Sequence, residues 1–113
     1  MSQDSEYIYL IIQAFENEIL QNNKLVIVEF GADWCGSCRL MASIVSDISV
    51  TYRDQINVVK LDIDLKKHLV KKYGIWAKPT FLFIKNGEVV DNIIGSAPRK
   101  DFENKLISLL SIE

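Results

Sequence analysis

The chain has 113 residues, of which 49% are hydrophobic and 25% are charged, and its formal net charge is -2 at pH 7. A chain of this length buries one hydrophobic core, so we expect a single domain over residues 1–113. The slightly acidic balance argues against a nucleic-acid-binding protein, and no apolar run approaches the ~20 residues that a membrane span requires.

The N-terminal part of the chain is predicted to form a strand, a helix and a second strand. An aromatic, β-branched stretch favours a short strand at residues 7–10, and a helix is expected at about residues 13–21. Residues 25–30 are apolar except for Glu29, which is typical of a central strand that is covered on both faces.

Two helices are expected around the next strand. The first runs from Cys35 to about Tyr52. Its predicted buried stripe consists of Leu40, Met41, Ile44, Val45 and Ile48. A strand at residues 56–63 follows, then a second helix with Asp64 as its expected N-cap and Gly74 as its expected C-cap. The apolar residues of this second helix are Leu65, Leu69, Val70 and Tyr73.

The last third of the chain is predicted to contain a β-hairpin and a helix. Strands at residues 80–84 and 88–94 flank Asn86-Gly87, which is a strong signal for a two-residue hairpin loop. Pro98 is expected at the start of the last helix. The residues expected to face inward from that helix are Phe102, Leu106, Leu109 and Leu110.

Strands and helices alternate along most of the chain, which predicts parallel strand pairs with helices packed on the sheet. The hairpin adds an antiparallel pair. The expected fold class is therefore α/β, with a central mixed β-sheet flanked by helices on both faces.

The only two cysteines, Cys35 and Cys38, lie between the strand at residues 25–30 and the helix that follows it. As a structural cross-link the pair is weak, since it closes a loop of about four residues, which is worth only about 2 kcal/mol. As a zinc site it is incomplete, because structural zinc takes four ligands and His68 is the only histidine. A redox dithiol needs only these two residues, and their place at a strand-to-helix junction favours this interpretation.

A cysteine at the first turn of a helix faces unpaired backbone N–H groups and the positive end of the helix dipole, and both stabilise a thiolate. The thiolate, unlike the thiol, attacks disulfides. This chemistry also requires that solvent reach Cys35.

A Cys-x-x-Cys pair without other cysteines is typical of a reducing compartment, so we expect a cytoplasmic protein. The first residues show neither a basic n-region nor a small-residue cleavage site, which predicts no signal peptide, although a trimmed mature form would look the same.

Further motifs stand at fixed distances from the cysteine pair. The full set is Trp34-Cys35-Gly36-Ser37-Cys38, Lys60, Tyr73-Gly74-Ile75, Pro79-Thr80, Lys85-Asn86-Gly87-Glu88 and Gly95. In these residues, and in their spacing from about Phe15 to Phe102, the sequence resembles the thioredoxin family. The resemblance implies a thioredoxin fold and a protein-disulfide oxidoreductase activity that needs no organic cofactor and no metal.

The resemblance also implies roles for individual residues. Cys35 would be the attacking thiol and Cys38 the buried resolving thiol. Pro79 would follow a cis peptide bond, which is the minority state of an X-Pro bond. The edge before it would accept an extended substrate peptide by strand addition. The implied substrate-contact residues are Trp34, Ala77, Lys78, Pro79 and Gly95.

Glu29 occupies the position at which the family places a buried carboxyl group. Burial in an apolar strand should raise the pKa of Glu29 by desolvation. The resemblance then implies that Glu29 exchanges a proton with Cys38 and that Lys60 is its ionic partner. A structural buried pair is the alternative for Glu29 and Lys60.

Three positions depart from the family pattern near the cysteines. Ser37 replaces a proline within the pair and restores an N–H that can face a thiolate. Lys78 replaces an aliphatic residue, and its ammonium group either lies near Cys35 or is solvated. Gly31 replaces an aromatic residue, which is either ordinary variation or opens a space that Trp76 partly fills.

The predicted function is the reduction of disulfide-containing proteins by a monomer, with a thioredoxin reductase as the expected electron donor and with neither nucleic acid nor membrane as a partner. An oxidase or isomerase of the same fold is one alternative, favoured by Ser37, Lys78 and Glu29. A binding module whose dithiol is idle is a second, and a metal site shared between two chains is a third.

Overall fold

The computed structural model of the chain describes residues 15–17, 19 and 23–111. In chain order its elements are β1 (Leu25–Gly31), α1 (Gly36–Thr51), β2 (Ile56–Asp62), α2 (Lys67–Lys72), β3 (Thr80–Lys85), β4 (Glu88–Ile94) and α3 (Arg99–Leu110). Residues 15–17 and 19 are helical, as predicted, whereas the strand expected at residues 7–10 lies outside the described residues.

The four strands of the described part form one mixed sheet in the order β2-β1-β3-β4. β1 pairs in parallel with β2 and antiparallel with β3, and β3 pairs antiparallel with β4. All seven residues of β1 are buried. The apolar sequence of this strand, in which Glu29 is the one charged residue, therefore has the expected cause, because the strand is covered by neighbouring strands on both edges and by side chains on both faces.

Successive side chains of β1 enter two separate cores, one on each face of the sheet. On one face, Leu25 and Ile27 pack with residues of α1 and α3, including Val45 and Phe102. On the other face, Val26, Val28 and Phe30 pack with Leu69 of α2 and with Ile19. The predicted α/β fold with a central mixed sheet and helices on both faces is confirmed.

The turn residues adopt the conformations that their chemistry favours. Asn86 and Gly87, between β3 and β4, both have positive φ, at 53° and 80°, as a two-residue type I′ hairpin requires. Gly74 follows the C-cap of α2 with φ at 66°, so the predicted glycine stop of this helix is also confirmed.

Three local predictions were wrong. Leu40 in α1 is 74% exposed, because the helix turns Cys38, Met41, Val45 and Ile48 toward the sheet instead. Leu65 is 76% exposed and precedes α2. Asp64 does not cap α2, because the carboxylate of Asp62 accepts the N–H groups of Asp64 and Leu65 in a turn, and the helix begins only at Lys67.

Candidate active site

Cys35 is the N-cap of α1. After β1 ends at Gly31, the chain turns and brings Cys35 to the helix start in an extended conformation, with φ at -86° and ψ at 114°. The Sγ atom of Cys35 accepts a hydrogen bond from the backbone N–H of Cys38 at 3.1 Å. The sulfur thus takes the place that a serine or aspartate oxygen occupies at an ordinary N-cap. A negative charge on this sulfur is stabilised there by the N–H group and by the helix dipole.

Ser37 contributes a hydroxyl group to the same sulfur. Its Oγ lies 3.4 Å from Cys35 Sγ and 3.3 Å from the carbonyl oxygen of Lys78. The hydroxyl has one proton, so it can donate to either acceptor. When Cys35 is a thiolate, the sulfur becomes the stronger acceptor of the two, and the hydroxyl adds to its stabilisation.

Cys35 and Cys38 form a disulfide whose Cα atoms are 5.2 Å apart. Cys35 is 3% exposed and Cys38 is 7% exposed. We expected an accessible Cys35 and a buried Cys38, but in the disulfide form both are buried and Cys35 is the less exposed. The reason is that the bond to Cys38 and the N–H of Cys38 both hold the Cys35 sulfur against the first turn of α1.

The loop before β3 lies against the cysteine pair. The Lys78–Pro79 peptide bond is cis, as predicted. Pro79 accepts a hydrogen bond from the N–H of Gly95 at 2.7 Å, and Thr80 donates its hydroxyl proton to the carbonyl oxygen of Ala77 at 2.6 Å. Ser37 links this loop to α1 through the Lys78 carbonyl. The structure therefore brings Ala77, Lys78, Pro79 and Gly95 together beside the pair.

The Trp34 side chain makes two polar contacts, a hydrogen bond and a cation–π interaction. Its indole N–H donates to the carboxylate of Asp64 at 2.7 Å, and the Lys78 ammonium lies 4.6 Å from the centre of its ring. The side chain is 56% exposed, which leaves an aromatic face available for contact next to Cys35. The sequence left two positions open for the Lys78 ammonium, near Cys35 or in solvent; the residue is exposed, and its ammonium lies over the Trp34 ring.

Glu29 is a buried carboxyl group on the α1 face of the sheet. It is 6% exposed, and its Oε1 atom has no hydrogen-bond partner. Burial raises the pKa of Glu29, and the charge of Lys60 opposes that shift in part. Glu29 and Lys60 are register partners in the parallel β1–β2 pair.

The ion pair predicted for Glu29 and Lys60 is not formed, since no salt bridge joins them among the described residues. Lys60 is exposed on the edge strand β2, where water solvates its ammonium group. The influence of Lys60 on Glu29 is electrostatic and acts over a longer distance than a contact.

Gly31 borders both Glu29 and Cys38. A Cβ atom on Gly31 would lie 3.1 Å from Cys38 Sγ and 3.4 Å from Glu29 Oε2, so the carboxyl group and the second sulfur meet beside this glycine. Gly31 also lines a cleft of about 360 Å³. Trp76 does not fill that space as expected, because it is 79% exposed and is not part of the cleft wall.

Two features of the site escaped the sequence interpretation. The Ser37 hydroxyl was missed because only the backbone N–H of this residue was expected to contribute, although a hydroxyl between two cysteines is a visible signal. Asp64 was assigned to a helix cap, and nothing local in the sequence indicates its hydrogen bond to Trp34, which joins residues 30 positions apart.

Comparison with known proteins agrees with this geometry. The sequence model of the thioredoxin family matches residues 6–108. Thioredoxin 1 from Synechococcus elongatus is 38% identical over 92 residues, which cover 81% of this chain and 86% of that protein. Thioredoxin from Pyropia yezoensis is 37% identical over 98 residues, covering 87% and 92%. The crystal structure of the thioredoxin NaTrxh from Nicotiana alata superposes with a TM-score of 0.77 at 35% identity, covering 85% of this chain and 82% of that chain.

Proposed function

The chain belongs to the thioredoxin family and is a thiol–disulfide oxidoreductase, and on this premise we propose that it acts as a reductant of disulfides in other proteins. The main support is the position of Cys35 at the N-cap of α1, where the Cys38 N–H donates to its sulfur at 3.1 Å. A hydrogen bond from this N–H group to a thiolate keeps the nucleophilic form of Cys35 populated.

The reaction consists of two exchanges. The Cys35 thiolate attacks one sulfur of the substrate disulfide, a mixed disulfide forms, and the other substrate sulfur leaves as a thiolate. Cys38 then attacks the Cys35 sulfur of the mixed disulfide, which releases the second substrate thiolate and restores the Cys35–Cys38 bond. Two electrons pass from the dithiol to the substrate.

In the second exchange, the proposed role of Glu29 is to accept the proton of the Cys38 thiol. The position of its Oε2 and of Cys38 Sγ, both beside Gly31, supports this role, as does a pKa that burial raises. A carboxyl group whose pKa is closer to neutrality accepts and returns a proton more readily at physiological pH. Lys60 limits the shift through its charge and so tunes Glu29 without touching it.

The proposed substrate is an extended segment that lies against the loop before β3. Its contact surface consists of Trp34, Ala77, Lys78, Pro79 and Gly95. The exposed face of Trp34 and the cis peptide bond before Pro79 support this assignment. A thioredoxin reductase is the proposed electron donor, and the proposed setting is a monomer in the cytoplasm that contributes to electron transport and redox homeostasis there.

Trapping of the mixed disulfide tests this proposal. The Cys38→Ser variant lacks the resolving thiol, so it should accumulate Cys35-linked adducts with disulfide-containing proteins, seen as bands that a reductant removes. The Cys35→Ser variant is the matched control and should give no such adducts under the same conditions. Binding of the same partners by both variants without any covalent bond would favour a binding module instead.

The Ser37 hydroxyl, 3.4 Å from Cys35 Sγ, favours a second candidate, a more oxidising oxidase or isomerase of the same fold. Each donor that stabilises the thiolate favours the reduced form and makes the disulfide a stronger oxidant. Equilibration with glutathione separates the two functions. A reductase is expected at about -270 mV, and an isomerase or oxidase at about -180 to -120 mV.

A further inference from the structure

Trp76 lies in the loop between α2 and β3, on the segment that leads to the cis peptide bond before Pro79. It is 79% exposed, which is the largest value among the large hydrophobic residues in the described part of the chain. Within that part, its ring makes no aromatic or cation–π contact. Single exposed apolar residues are common on protein surfaces, so exposure alone assigns no role to Trp76. Its place in the loop does.

Exposure alternates along this loop. Ile75 and Ala77 are half-buried, whereas Trp76 and Lys78, which alternate with them, are exposed. This is the pattern of extended backbone, in which successive side chains point to opposite sides. Trp76 therefore lies on the same outer side of the loop as Lys78, whose ammonium group reaches the ring of Trp34 beside the disulfide.

The backbone on both sides of Trp76 is fixed by hydrogen bonds. The N–H of Ile75 donates to the carbonyl oxygen of Val70 at 2.9 Å, and the carbonyl oxygen of Ala77 accepts the hydroxyl proton of Thr80 at 2.6 Å. A side chain presented by a fixed backbone loses little further conformational freedom when a partner covers it. Tryptophan is also enriched among the few residues that dominate the binding energy of protein interfaces. Trp76 is thus suited to be a binding anchor.

The distance from Trp76 to the disulfide identifies what covers it. The Ser37 hydroxyl lies 3.4 Å from Cys35 Sγ and 3.3 Å from the carbonyl oxygen of Lys78, so one hydroxyl group separates the loop from the reacting sulfur. A substrate must bring its own sulfur to Cys35 and must therefore lie against this loop. Because two residues of extended chain span at most about 7 Å, Trp76 lies opposite a substrate side chain about two positions from the reacting cysteine.

We propose that Trp76 is a specificity-determining residue that binds an apolar or aromatic side chain of the substrate, and that Lys78 favours an acidic neighbour there over a basic one. The inference rests on the proposed function, since it names the disulfide-bearing segments that the same site reduces fastest. In strand addition, main-chain hydrogen bonds supply affinity and the sites for alternate side chains supply selectivity. Lys78 is the one charged residue of the substrate-contact surface, so its sign decides which charge that surface accepts.

Paired peptide substrates test the role of Trp76. Two disulfide-linked peptides differ only at the residue two positions from the reacting cysteine, which is phenylalanine in one and serine in the other. Single-turnover reduction by the reduced protein should be about tenfold faster for the phenylalanine peptide, the size of effect that an interface anchor produces. Trp76→Ala should reduce both peptides at nearly the same rate, and Trp76→Phe, which retains an aromatic ring, should keep most of the preference. An unchanged preference in Trp76→Ala would overturn the proposal.

Val50→Ala is the matched control, because Val50 is also apolar and is 61% exposed. It lies near the C-terminal end of α1, about 22 Å along the helix from Cys35, and its substitution should leave the preference unchanged. Alkylation of Cys35 by iodoacetamide should proceed at the same rate in Trp76→Ala and in the unmodified protein, since this small reagent does not extend to Trp76. A lower alkylation rate in Trp76→Ala would show that Trp76 supports the structure of the site, which would overturn its assignment as a substrate contact.

A second pair of peptides tests the charge of Lys78. Replacing a glutamate beside the phenylalanine with lysine should slow reduction about threefold at low salt, and less at high salt, because exposed charge pairs are weak and screened. Lys78→Ile should remove this difference. Equal rates for the two peptides with the unmodified protein would overturn the charge preference.

The outcomes also separate this inference from the proposed function. If the unmodified protein reduces the phenylalanine and serine peptides equally fast, the proposed function stands and the inference is overturned. If it reduces neither, the proposed function fails, and binding of the same peptides with serine in place of cysteine still decides whether Trp76 selects phenylalanine. Sedimentation tests a second copy of the chain as the occupant: self-association that Trp76→Ala abolishes, together with equal reduction of both peptides, would overturn the proposal.

Discussion

The two sulfurs of one disulfide lie in different surroundings. Around Cys35 the neighbours are hydrogen-bond donors, namely the Cys38 N–H at 3.1 Å and the Ser37 hydroxyl at 3.4 Å. Around Cys38 the neighbours are a buried carboxyl group, that of Glu29, and the open space left by Gly31. The Cys35 side can stabilise charge, whereas the Cys38 side can accept a proton and borders an open cleft.

This difference separates two properties that a dithiol needs. The equilibrium between dithiol and disulfide depends on how well the thiolate of Cys35 is stabilised, whereas the rate of the second exchange depends on how Cys38 loses its proton. Substitutions on the Cys35 side should therefore change the reduction potential. Substitutions on the Cys38 side should change the rate of resolution.

The largest effect is expected for Glu29→Gln, which keeps the shape of the side chain and removes its acid–base function. Resolution of the mixed disulfide by Cys38 should slow by roughly 10- to 100-fold, at or below the lower end of what general acid–base catalysis contributes, because water can replace part of the proton transfer. The first attack by Cys35 should stay nearly unchanged. Rapid-quench kinetics with a disulfide-containing peptide measures the two steps separately.

Lys60→Met is the companion to that experiment. It removes the charge that lowers the pKa of Glu29 while leaving the carboxyl group in place, so the pH at which resolution is half-maximal should move upward. Equal resolution rates in Glu29→Gln and the unmodified protein would remove Glu29 from the mechanism and leave it a structural residue.

The same carboxyl group should also affect stability. Burial raises the pKa of Glu29 above 4.5, so the folded protein holds this proton at pH values where the unfolded chain has released it. Below the unfolded pKa the contribution to stability is fully present, and it is lost as pH rises through the folded pKa. Compared with the unmodified protein, Glu29→Gln should therefore gain in relative stability from about pH 4.5 upward, which denaturant unfolding across the pH range can measure. A difference that is independent of pH would contradict the buried, protonated state.

The sequence predicted most of the fold because its signals are local. The apolar run of β1, the Asn86-Gly87 hairpin and the Gly74 stop each depend on neighbouring residues, and each was found where expected. The buried face of α1 was harder to predict, because its sequence contains two apolar stripes that share Ile48. Which stripe is buried depends on the direction in which Cys38 meets the sheet, and that direction is set by tertiary packing.

The site also contains features that local sequence predicts and features that depend on tertiary packing. The cysteines and Pro79 could be located from motif spacing. The hydrogen bond from Trp34 to Asp64 and the cleft beside Gly31 could not, because both depend on how the loop after β1 lies against β2. The expected Glu29–Lys60 contact failed for a related reason, since strand register places two residues side by side without fixing where a long side chain points.

On the Cys35 side, Ser37→Ala should make the reduction potential more negative by roughly 30 mV, since a hydrogen bond to a charged group contributes about 1.5 kcal/mol and 30 mV corresponds to about 1.4 kcal/mol. Equilibration with glutathione, followed by mass spectrometry, gives the potential. Ser37→Thr retains the hydroxyl and should stay near the unmodified value. The same shift in both variants would show that packing, and not the hydroxyl, is responsible.

The smallest effect is expected for Lys78→Ile. The ammonium group of Lys78 lies 4.6 Å from the centre of the Trp34 ring and is exposed, so water screens much of its field at Cys35. The pH midpoint of Cys35 alkylation should therefore rise only slightly in Lys78→Ile, while Trp34 fluorescence should change clearly because its cation neighbour is lost. Lys78→Arg keeps the charge over the ring and should preserve both properties. A large rise in the alkylation midpoint with unchanged fluorescence would mean that the ammonium acts on the sulfur directly, and Lys78 would then belong with the donors that stabilise Cys35.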